Sequence, residues 1–147
     1  MKNKNHSEKR RYSYLTSEIE AAYHEAAWKF GLSDSAMRIL YTICLCGEEC
    51  LLSEVVRLSG ISKQTINSAL RKLEQDGNVF LETVDGKKKK VCLTEEGKLL
   101  AKNSAVRVQE IEDAIFDSWS EVERNSYMEL TERFLIAFRE KTKEISL

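Results

Sequence analysis

The stretch LSGISKQTINSALRKLEQDG, Leu58 to Gly77, decides the fold. Gly60 can take the positive φ that a tight turn between two helices requires, and Ile61 supplies an apolar residue directly after it. Ser62 is a typical helix N-cap residue, and a glycine such as Gly77 commonly ends a helix. On a helical wheel of the segment from Ser62 to Gly77, four apolar residues fall on one side: Ile66, Ala69, Leu70 and Leu73. The pattern predicts two helices joined by a tight turn, which is a helix-turn-helix.

The other side of the second helix is polar, and its residue types suit DNA recognition. Glutamine and asparagine can pair with adenine, whereas arginine and lysine reach guanine or phosphate. The N-terminus of the helix adds a partial positive charge that favours a phosphate. Since most surface helices present polar residues outward, this face alone does not separate DNA contact from simple solvation. The candidate DNA-binding residues on the helix are Ser62, Lys63, Gln64, Thr65, Asn67, Ser68 and Arg71.

A β-hairpin is predicted directly after this helix. The runs NVFLETV (78–84) and KKVCL (89–93) are rich in strand-forming residues, and Asp85-Gly86 between them is a hairpin signal. The segment 53–93 holds eight Lys/Arg and five Asp/Glu, a net charge of +3 in a chain of −1. We therefore expect the hairpin to be a basic wing rather than only a solvated tip. We expect Lys87 to contact a groove or phosphate, Lys88 and Lys89 to lie near phosphates, and Asp85 to orient a neighbouring basic side chain.

The segment before the helix-turn-helix is helical by pattern. Ser17 and Glu20 form a capping box that predicts the start of a first helix, which Gly31 would end. Ser33 can cap a second helix that closes at Gly47. A short apolar run at residues 50–52 predicts a small strand, and a third helix capped by the serine at position 53 would follow.

Two long helices are predicted after the wing. Thr94 can cap a helix that runs to Ser118, a length of about 36 Å at the usual rise per residue. Ser120 and Glu123 form another capping box, which would begin the final helix. The segment 94–147 holds eight Lys/Arg and twelve Asp/Glu, so these helices carry a net charge of −4.

Length and composition predict one ordinary globular domain. The chain has 147 residues, of which 42% are hydrophobic and 32% charged. No apolar run approaches the roughly 20 residues that would cross a bilayer, and the N-terminus lacks the apolar core of a secretory signal. We expect a cytoplasmic protein without a membrane partner.

The segment LLSEVVRLSGISKQTINSALRKLEQDGNVFLETVDGKKKKVCLTEEGKLL (51–100) resembles the MarR family of transcriptional regulators. The turn GISK, the helix end LRKLEQDGNV and the junction VCLTEEG carry the resemblance. It implies a mainly α fold with a small β-wing over a single domain, 1–147. Within it, residues 50–93 form the winged helix-turn-helix, and residues 15–46 and 95–145 form helices for dimerisation and a ligand pocket.

The resemblance also implies an obligate homodimer that reads a pseudo-palindromic site on double-stranded DNA. The C-terminal helices carry more large apolar residues than a small domain readily buries, which is typical of an interface. The alternative is that these residues complete the core of one protomer. The candidate interface residues are Phe116, Trp119, Tyr127, Leu130, Phe134 and Phe138.

The wing departs from the family at Lys87, where an Asp-x-Arg pattern usually places an arginine that enters the minor groove. Lysine keeps the charge but loses the planar guanidinium group, and it is more strongly hydrated. We therefore expect the wing to act mainly by phosphate attraction, with weaker sequence readout.

Many family members bind a small aromatic or anionic ligand between the dimerisation helices and the winged domain. The first two predicted helices offer four candidate pocket residues. Two aromatic candidates could equally be core or interface residues, and the histidine could have a solvent or packing role. The candidates are Tyr23, His24, Trp28 and Arg38.

The four cysteines are ambiguous. A branch of the family senses oxidants through a reactive cysteine near the start of the first helix, where this chain has none. Cys44, Cys46 and Cys50 match no zinc spacing, and a cytosolic location argues against structural disulfides. We expect buried, inert thiols and no metal or cofactor, with redox sensing as the alternative.

The patterns and the family resemblance together predict a sequence-specific DNA-binding regulator of transcription, and the resemblance implies a repressor released by a small ligand. No phosphate-binding loop, zinc-protease motif or nucleophile elbow occurs in the sequence, so an enzyme is not expected. A winged-helix protein–protein adaptor is the other alternative, but its recognition helix would commonly be apolar or acidic outward.

Overall fold

The computed structural model describes residues 2–146, with side chains from residue 5 onward. The chain folds into two compact units, Met1–Gln109 and Glu110–Leu147. Within the described range, no helix combines the length and the apolar character needed to traverse a bilayer. The elements in chain order are α1 Lys2–Lys29, α2 Asp34–Cys46, β1 Glu49–Leu51, α3 Leu52–Ser59, α4 Lys63–Gln75, β2 Val79–Asp85, β3 Lys88–Leu93, α5 Glu95–Lys102, α6 Ala105–Asp117 and α7 Glu121–Thr142.

The core of the first unit forms around α2. Ile39, Leu40 and Ile43 recur with helical spacing and are fully buried. They belong to one cluster with Val55 of α3 and Ile66 of α4. Burying the apolar sides of α2, α3 and α4 together fixes the helix-turn-helix, and it confirms the mainly helical winged fold that the sequence predicts.

The wing is a three-stranded antiparallel sheet in the order β1-β3-β2. Cys50 of β1 pairs with Val91 of β3, and the β2–β3 register shifts between Thr83 and Asp85. Asp85 still pairs with Lys88, so the two-residue turn is 86–87 and not the predicted 85–86. The glycine at position 86 has a φ of +53°, which explains why the turn begins there.

Two predicted helix starts are wrong. α1 begins at Lys2 and continues through Ser17, whose capping-box pattern therefore lies inside a helix. The segment before Ser17 contains no glycine or proline to stop a helix, and the Thr16 hydroxyl donates to the carbonyl of Tyr12 (2.9 Å). α3 begins at Leu52 because β1 leads straight into it, so Ser53 is not its cap.

The predicted single helix from Thr94 to Ser118 is two helices. Thr94 caps α5, since its Oγ1 accepts from the amide of Gly97 (2.9 Å). The helix then ends at Lys102, and residues 103–104 separate it from the start of α6. Ser104 is buried, and its hydroxyl donates to the carbonyl of Leu100 (2.6 Å). Thr42 and Thr131 make the same kind of bond inside unbroken helices, so this bond alone does not explain the break.

The second unit is built around the start of α7. Ser120 accepts from the amide of Glu123 (3.1 Å), and the Glu123 carboxylate accepts from the amide of Ser120 (2.9 Å), so the predicted capping box is confirmed. The Arg124 guanidinium donates to the carbonyls of Phe116 (3.1 Å) and Trp119 (2.6 Å). These bonds fix the turn between α6 and α7, although α7 itself has no buried residue.

Candidate nucleic-acid interface and ligand cavity

The tight turn before α4 is held by its own backbone and by Ser59. Gly60 adopts the left-handed conformation (φ 69°) and ends α3. The buried Ser59 hydroxyl accepts from the amide of Ile61 (3.3 Å), and the Ser62 hydroxyl caps α4 by accepting from the amide of Thr65 (3.3 Å). The N-terminus of α4 is therefore presented at the surface with a fixed direction.

The polar face of α4 is exposed, as predicted, while Ile66 on its other side is fully buried. Three hydroxyls on this face already take part in local hydrogen bonds, those of Ser62, Thr65 and Ser68. The longer polar side chains make no hydrogen bond or ion pair with any other described residue. These are Lys63, Gln64, Asn67 and Arg71, of which only Asn67 is half-buried.

The four lysines of the wing are not equivalent. Lys87, Lys88 and Lys89 are exposed and make no ion pair within residues 5–146. Lys90 lies on the sheet, where its ammonium group contacts the carboxylates of Glu49 (3.1 Å) and Glu82 (3.7 Å). The hydrogen bond to Glu49 raises the pKa of Lys90. Three wing charges thus remain available to an anion, and the fourth is compensated within the protein.

Asp85 does not orient a lysine in the free protein. Its carboxylate is exposed at the end of β2 and makes no ion pair among the described side chains. The predicted orienting role therefore remains a prediction for the DNA-bound state.

A cavity of about 560 Å³ lies in the first unit. Tyr23, His24 and Arg38, three of the four candidate pocket residues, line it, whereas Trp28 does not. Trp28 is 74% exposed, so it is neither a core residue nor a wall of this cavity. The size suits a small ligand, since such sites usually measure about 300–1,000 Å³. The full lining is Glu20, Tyr23, His24, Ala27, Asp34, Ser35, Met37, Arg38, Tyr41, Ile61 and Val108.

His24 is paired rather than simply solvated. Its Nδ1 lies 2.8 Å from the carboxylate of Asp34, the first residue of α2. Sequence reasoning missed Asp34 and Tyr41 as cavity residues. The periodicity of α2 assigns Asp34 to a helix start, and only the docking of α1 against α2 brings it to His24.

Arg38 links the cavity to the helix-turn-helix. Its guanidinium Nε donates to the carbonyl of Ser59 at the end of α3 (3.2 Å), and its guanidinium carbon lies 5.9 Å from the centre of the Tyr41 ring. Ile61, two residues after Ser59, is also a cavity wall. One side chain therefore contacts both the cavity and the turn that positions α4.

The predicted interface residues form an aromatic and aliphatic surface on the second unit. Phe116, Trp119 and Tyr127 pack on one another with ring centres 5.3–6.2 Å apart. Phe134 and Phe138 stack with centres 5.9 Å apart, and both are at least half exposed. Within the protomer these side chains do not complete a buried core. We call this surface the α6–α7 aromatic face, and its members are Phe116, Trp119, Tyr127, Leu130, Phe134 and Phe138.

The cysteines differ from the prediction of inert, buried thiols. Cys46 and Cys50 form a disulfide, and Cys46 is exposed. Cys44 and Cys92 carry free thiols, and burial raises the pKa of both. Gly47 turns the chain sharply after α2 and brings the two residues together, which their spacing in the sequence did not indicate. Among the described residues, no group of three or more His, Cys, Asp and Glu side chains could hold a metal ion.

Comparison with known proteins identifies a family and a set of similar structures. Residues 30–90 match the MarR family. This range covers α2, the helix-turn-helix and most of the wing. No curated protein matches the chain in sequence.

Three solved structures illustrate the structural likeness. NadR in complex with 4-hydroxyphenylacetate gives a TM-score of 0.68 at 18% identity, with 84% of this chain and 88% of that chain covered. MepR of S. aureus in complex with DNA gives 0.66 at 16% identity, covering 88% and 96%. BpsR of Bordetella bronchiseptica, whose DNA binding is regulated by 6-hydroxynicotinic acid, gives 0.62 at 18% identity, covering 84% and 98%. At these identities the likeness establishes the fold.

Proposed function

Because residues 30–90 match the MarR family, we propose that the chain is a homodimeric transcription regulator that binds double-stranded DNA and is released by a small anionic ligand. The observation that carries the proposal is the combination on one unit of an exposed polar α4 face, a wing with three uncompensated lysines and a separate cavity. Repression is the mode that we assign to it.

DNA contact is supported by the chemistry of α4 and the wing. Gln64, Asn67 and Arg71 carry amide and guanidinium groups that match base edges in the major groove. Lys87 and its two neighbours would contact the phosphate backbone beside that groove. MepR, a protein of the same fold, has been crystallised with DNA, which supports DNA binding as the use of this fold here.

The lining of the cavity favours an aromatic carboxylate. Arg38 supplies a cation, Tyr23 and Tyr41 supply aromatic surface, and His24 with Asp34 supplies a polar end. An arginine fork binds a carboxylate more strongly than neutral donors do. NadR holds 4-hydroxyphenylacetate and BpsR is regulated by 6-hydroxynicotinic acid, and both compounds are aromatic acids.

The contact between Arg38 and Ser59 offers a route from ligand to DNA. A ligand carboxylate would compete with the Ser59 carbonyl for the guanidinium group. Losing that bond would loosen the turn that sets the direction of α4. The ligand then favours a conformation in which α4 fits DNA less well, which is the differential binding that any such response requires.

The α6–α7 aromatic face supports a homodimer. Leu130, Phe134 and Phe138 of this face are each at least half exposed, and an exposed apolar surface of this kind is typical of an interface. A two-fold dimer would present two copies of α4 to one duplex, and the half-sites of its DNA would then be related by the same symmetry.

Selection of a binding site from random double-stranded DNA tests the proposal. We expect an enriched sequence with two inverted half-sites, spaced by about one helical turn, at 10–10.5 base pairs. Binding should weaken steeply as salt rises. Recovery of no enriched sequence, together with tight binding to a protein partner, would instead support the adaptor alternative.

A further inference from the structure

The pair Cys46–Cys50 joins two elements that only residues 47 and 48 separate in the chain. Cys46 is the last residue of α2, and Cys50 is the middle residue of β1. Their Cα atoms lie 5.5 Å apart, a separation typical of disulfides. Gly47 between them has a φ of 114°, which lets the chain reverse sharply at the end of the helix.

The two sulfur-bearing residues differ in access. Cys46 is exposed, whereas Cys50 is 5% exposed. A second cavity of about 350 Å³ lies over the pair, with Cys46, Cys50 and Lys90 in its lining. A small molecule can therefore reach the bond from the Cys46 side. The thiols of Cys44 and Cys92 are less reactive, because burial disfavours their thiolate forms.

We propose that Cys46 and Cys50 form a reversible dithiol–disulfide site that exchanges with low-molecular-weight disulfides and thiols of the glutathione type. The Cys46 thiolate attacks one sulfur of the external disulfide, forms a mixed disulfide and displaces one thiolate. The Cys50 thiolate then attacks Cys46 Sγ and displaces the second thiolate. The protein loses two electrons and two protons, and the external disulfide becomes two thiols.

The bond fixes the end of α2 to β1. Cys50 and Leu51 pair with Val91 and Lys90 of β3, so β1 is the edge strand of the wing sheet. A strand of three residues is short. In the dithiol form, β1 keeps only its backbone pairing and its side-chain contacts, so the amides of residues 47–51 should exchange faster with solvent. This inference depends on neither DNA binding nor a ligand, and it can succeed or fail independently of the proposed function.

The test equilibrates the full chain in glutathione buffers of graded redox composition. Each sample is quenched in acid, alkylated with N-ethylmaleimide and analysed by peptide mass spectrometry. We expect Cys46 and Cys50 to become protected together in oxidising buffers and to be recovered together in reducing ones. Cys50→Ser should trap glutathione on Cys46, whereas Cys46→Ser should leave Cys50 largely unmodified. Cys44→Ser is the matched control and should behave as the unmodified chain does.

Two results would overturn the proposal. The first is full alkylation of both residues throughout the redox series. The second is trapping of glutathione on Cys50 as readily as on Cys46. Should either serine variant fail to fold, the rates of alkylation in the reduced, unmodified chain decide, since Cys46 must react faster than Cys50.

Discussion

The tip of the wing carries its charge on three lysines, and a single substitution there tests how it binds. Lys87→Ala should weaken binding to specific and random DNA alike, because a phosphate contact carries no sequence information. Each lost contact should reduce the slope of log affinity against log salt by about 0.9, hence about 1.8 for a dimer. Fluorescence anisotropy titrations on both DNAs over a salt series measure this.

Lys90→Ala is the matched control for the wing. Lys90 is already bound to Glu49 and Glu82, so its loss should leave the salt slope unchanged. A fall in specific binding alone after Lys87→Ala would contradict phosphate attraction and would indicate base or shape readout at the tip.

Arg38 is the second residue whose proposed role, binding the carboxylate of a ligand, can be tested by a single substitution. Arg38→Met keeps much of the side-chain volume but removes the charge, and it should weaken binding of an aromatic carboxylate by about 10- to 100-fold. Isothermal titration with 4-hydroxyphenylacetate as probe measures the loss. The variant also lacks the bond to Ser59, so its DNA affinity should already be lowered and should no longer respond to that ligand.

Arg107→Met is the corresponding control, because Arg107 stacks over Phe30 (5.3 Å) and lies outside the cavity lining. An Arg38→Met protein that still releases DNA when the acid is added would remove Arg38 from the coupling route.

At this scale, the sequence predicts the exposed polar face of α4 better than it predicts the cavity. Polar residues opposite a buried stripe follow from helical period alone, so the exposed face from Lys63 to Arg71 could be found. The cavity depends on how α1 docks on α2, and local periodicity does not contain that information. The sequence alone therefore does not indicate that Asp34 lines the cavity and that Trp28 does not.

At the scale of the elements, the junction between the wing and α5 depends on Gly97. A Cβ atom at this position would collide with the carbonyl oxygen of Asn78. Because that obstacle is backbone, it cannot move aside as a flexible side chain would. Gly97→Ala should therefore destabilise the fold by about 1–3 kcal/mol.

Urea denaturation followed by circular dichroism measures the change. Lys102→Ala on the exposed side of α5 is the control, and it should change the free energy of unfolding little. A Gly97→Ala protein as stable as that control would mean that α5 can shift away from the wing.

The capping box of α7 gives a dependence on pH. Hydrogen bonds from the Ser120 backbone and side chain hold the pKa of Glu123 below its ordinary value of 4.5. The ionised Glu123 carboxylate therefore stabilises the folded state fully above pH 4.5, its ordinary pKa. This stabilisation is lost as the pH falls through the pKa of Glu123 in the folded state, which is lower.

Thermal unfolding of the unmodified chain and of Glu123→Gln, followed between pH 3 and pH 7, tests this. The difference between their midpoints should shrink in acid. Glu129 is an exposed glutamate of the same helix, and Glu129→Gln is the control. The difference in midpoint between this variant and the unmodified chain should not shrink in acid. A difference that stays constant over the whole range would exclude the ionised carboxylate as the stabilising group.

Element type was predicted more reliably than element boundaries. Ser33, Ser62, Thr94 and Ser120 all cap the helices assigned to them, because each is followed by apolar residues at helical spacing. Ser17 has the same local signature and fails, since the residues before it also favour a helix. No local pattern in the sequence indicates the break at Asn103-Ser104.

At the scale of the whole molecule, the α6–α7 aromatic face is where we propose that a second copy of the chain binds. A glutamate at position 134 would place a charge where we propose that two protomers meet. Phe134→Glu should therefore convert a dimer to monomers and lower DNA affinity, whereas Phe134→Leu should keep the dimer. Sedimentation velocity and light scattering measure the mass. A Phe134→Glu protein that remains dimeric would place the interface elsewhere.

The two tryptophans differ greatly in their surroundings. Trp28 is 74% exposed, whereas Trp119 lies in edge contact with both Phe116 and Tyr127. The two tryptophans should therefore differ in the wavelength of maximum fluorescence emission and in how strongly iodide quenches that emission. In the Trp28→Phe variant, the tryptophan fluorescence comes from Trp119 and reports on the second unit. Tyr127 lies close enough to transfer excitation energy to Trp119. The molecule thus contains an intrinsic optical probe of the α6–α7 turn.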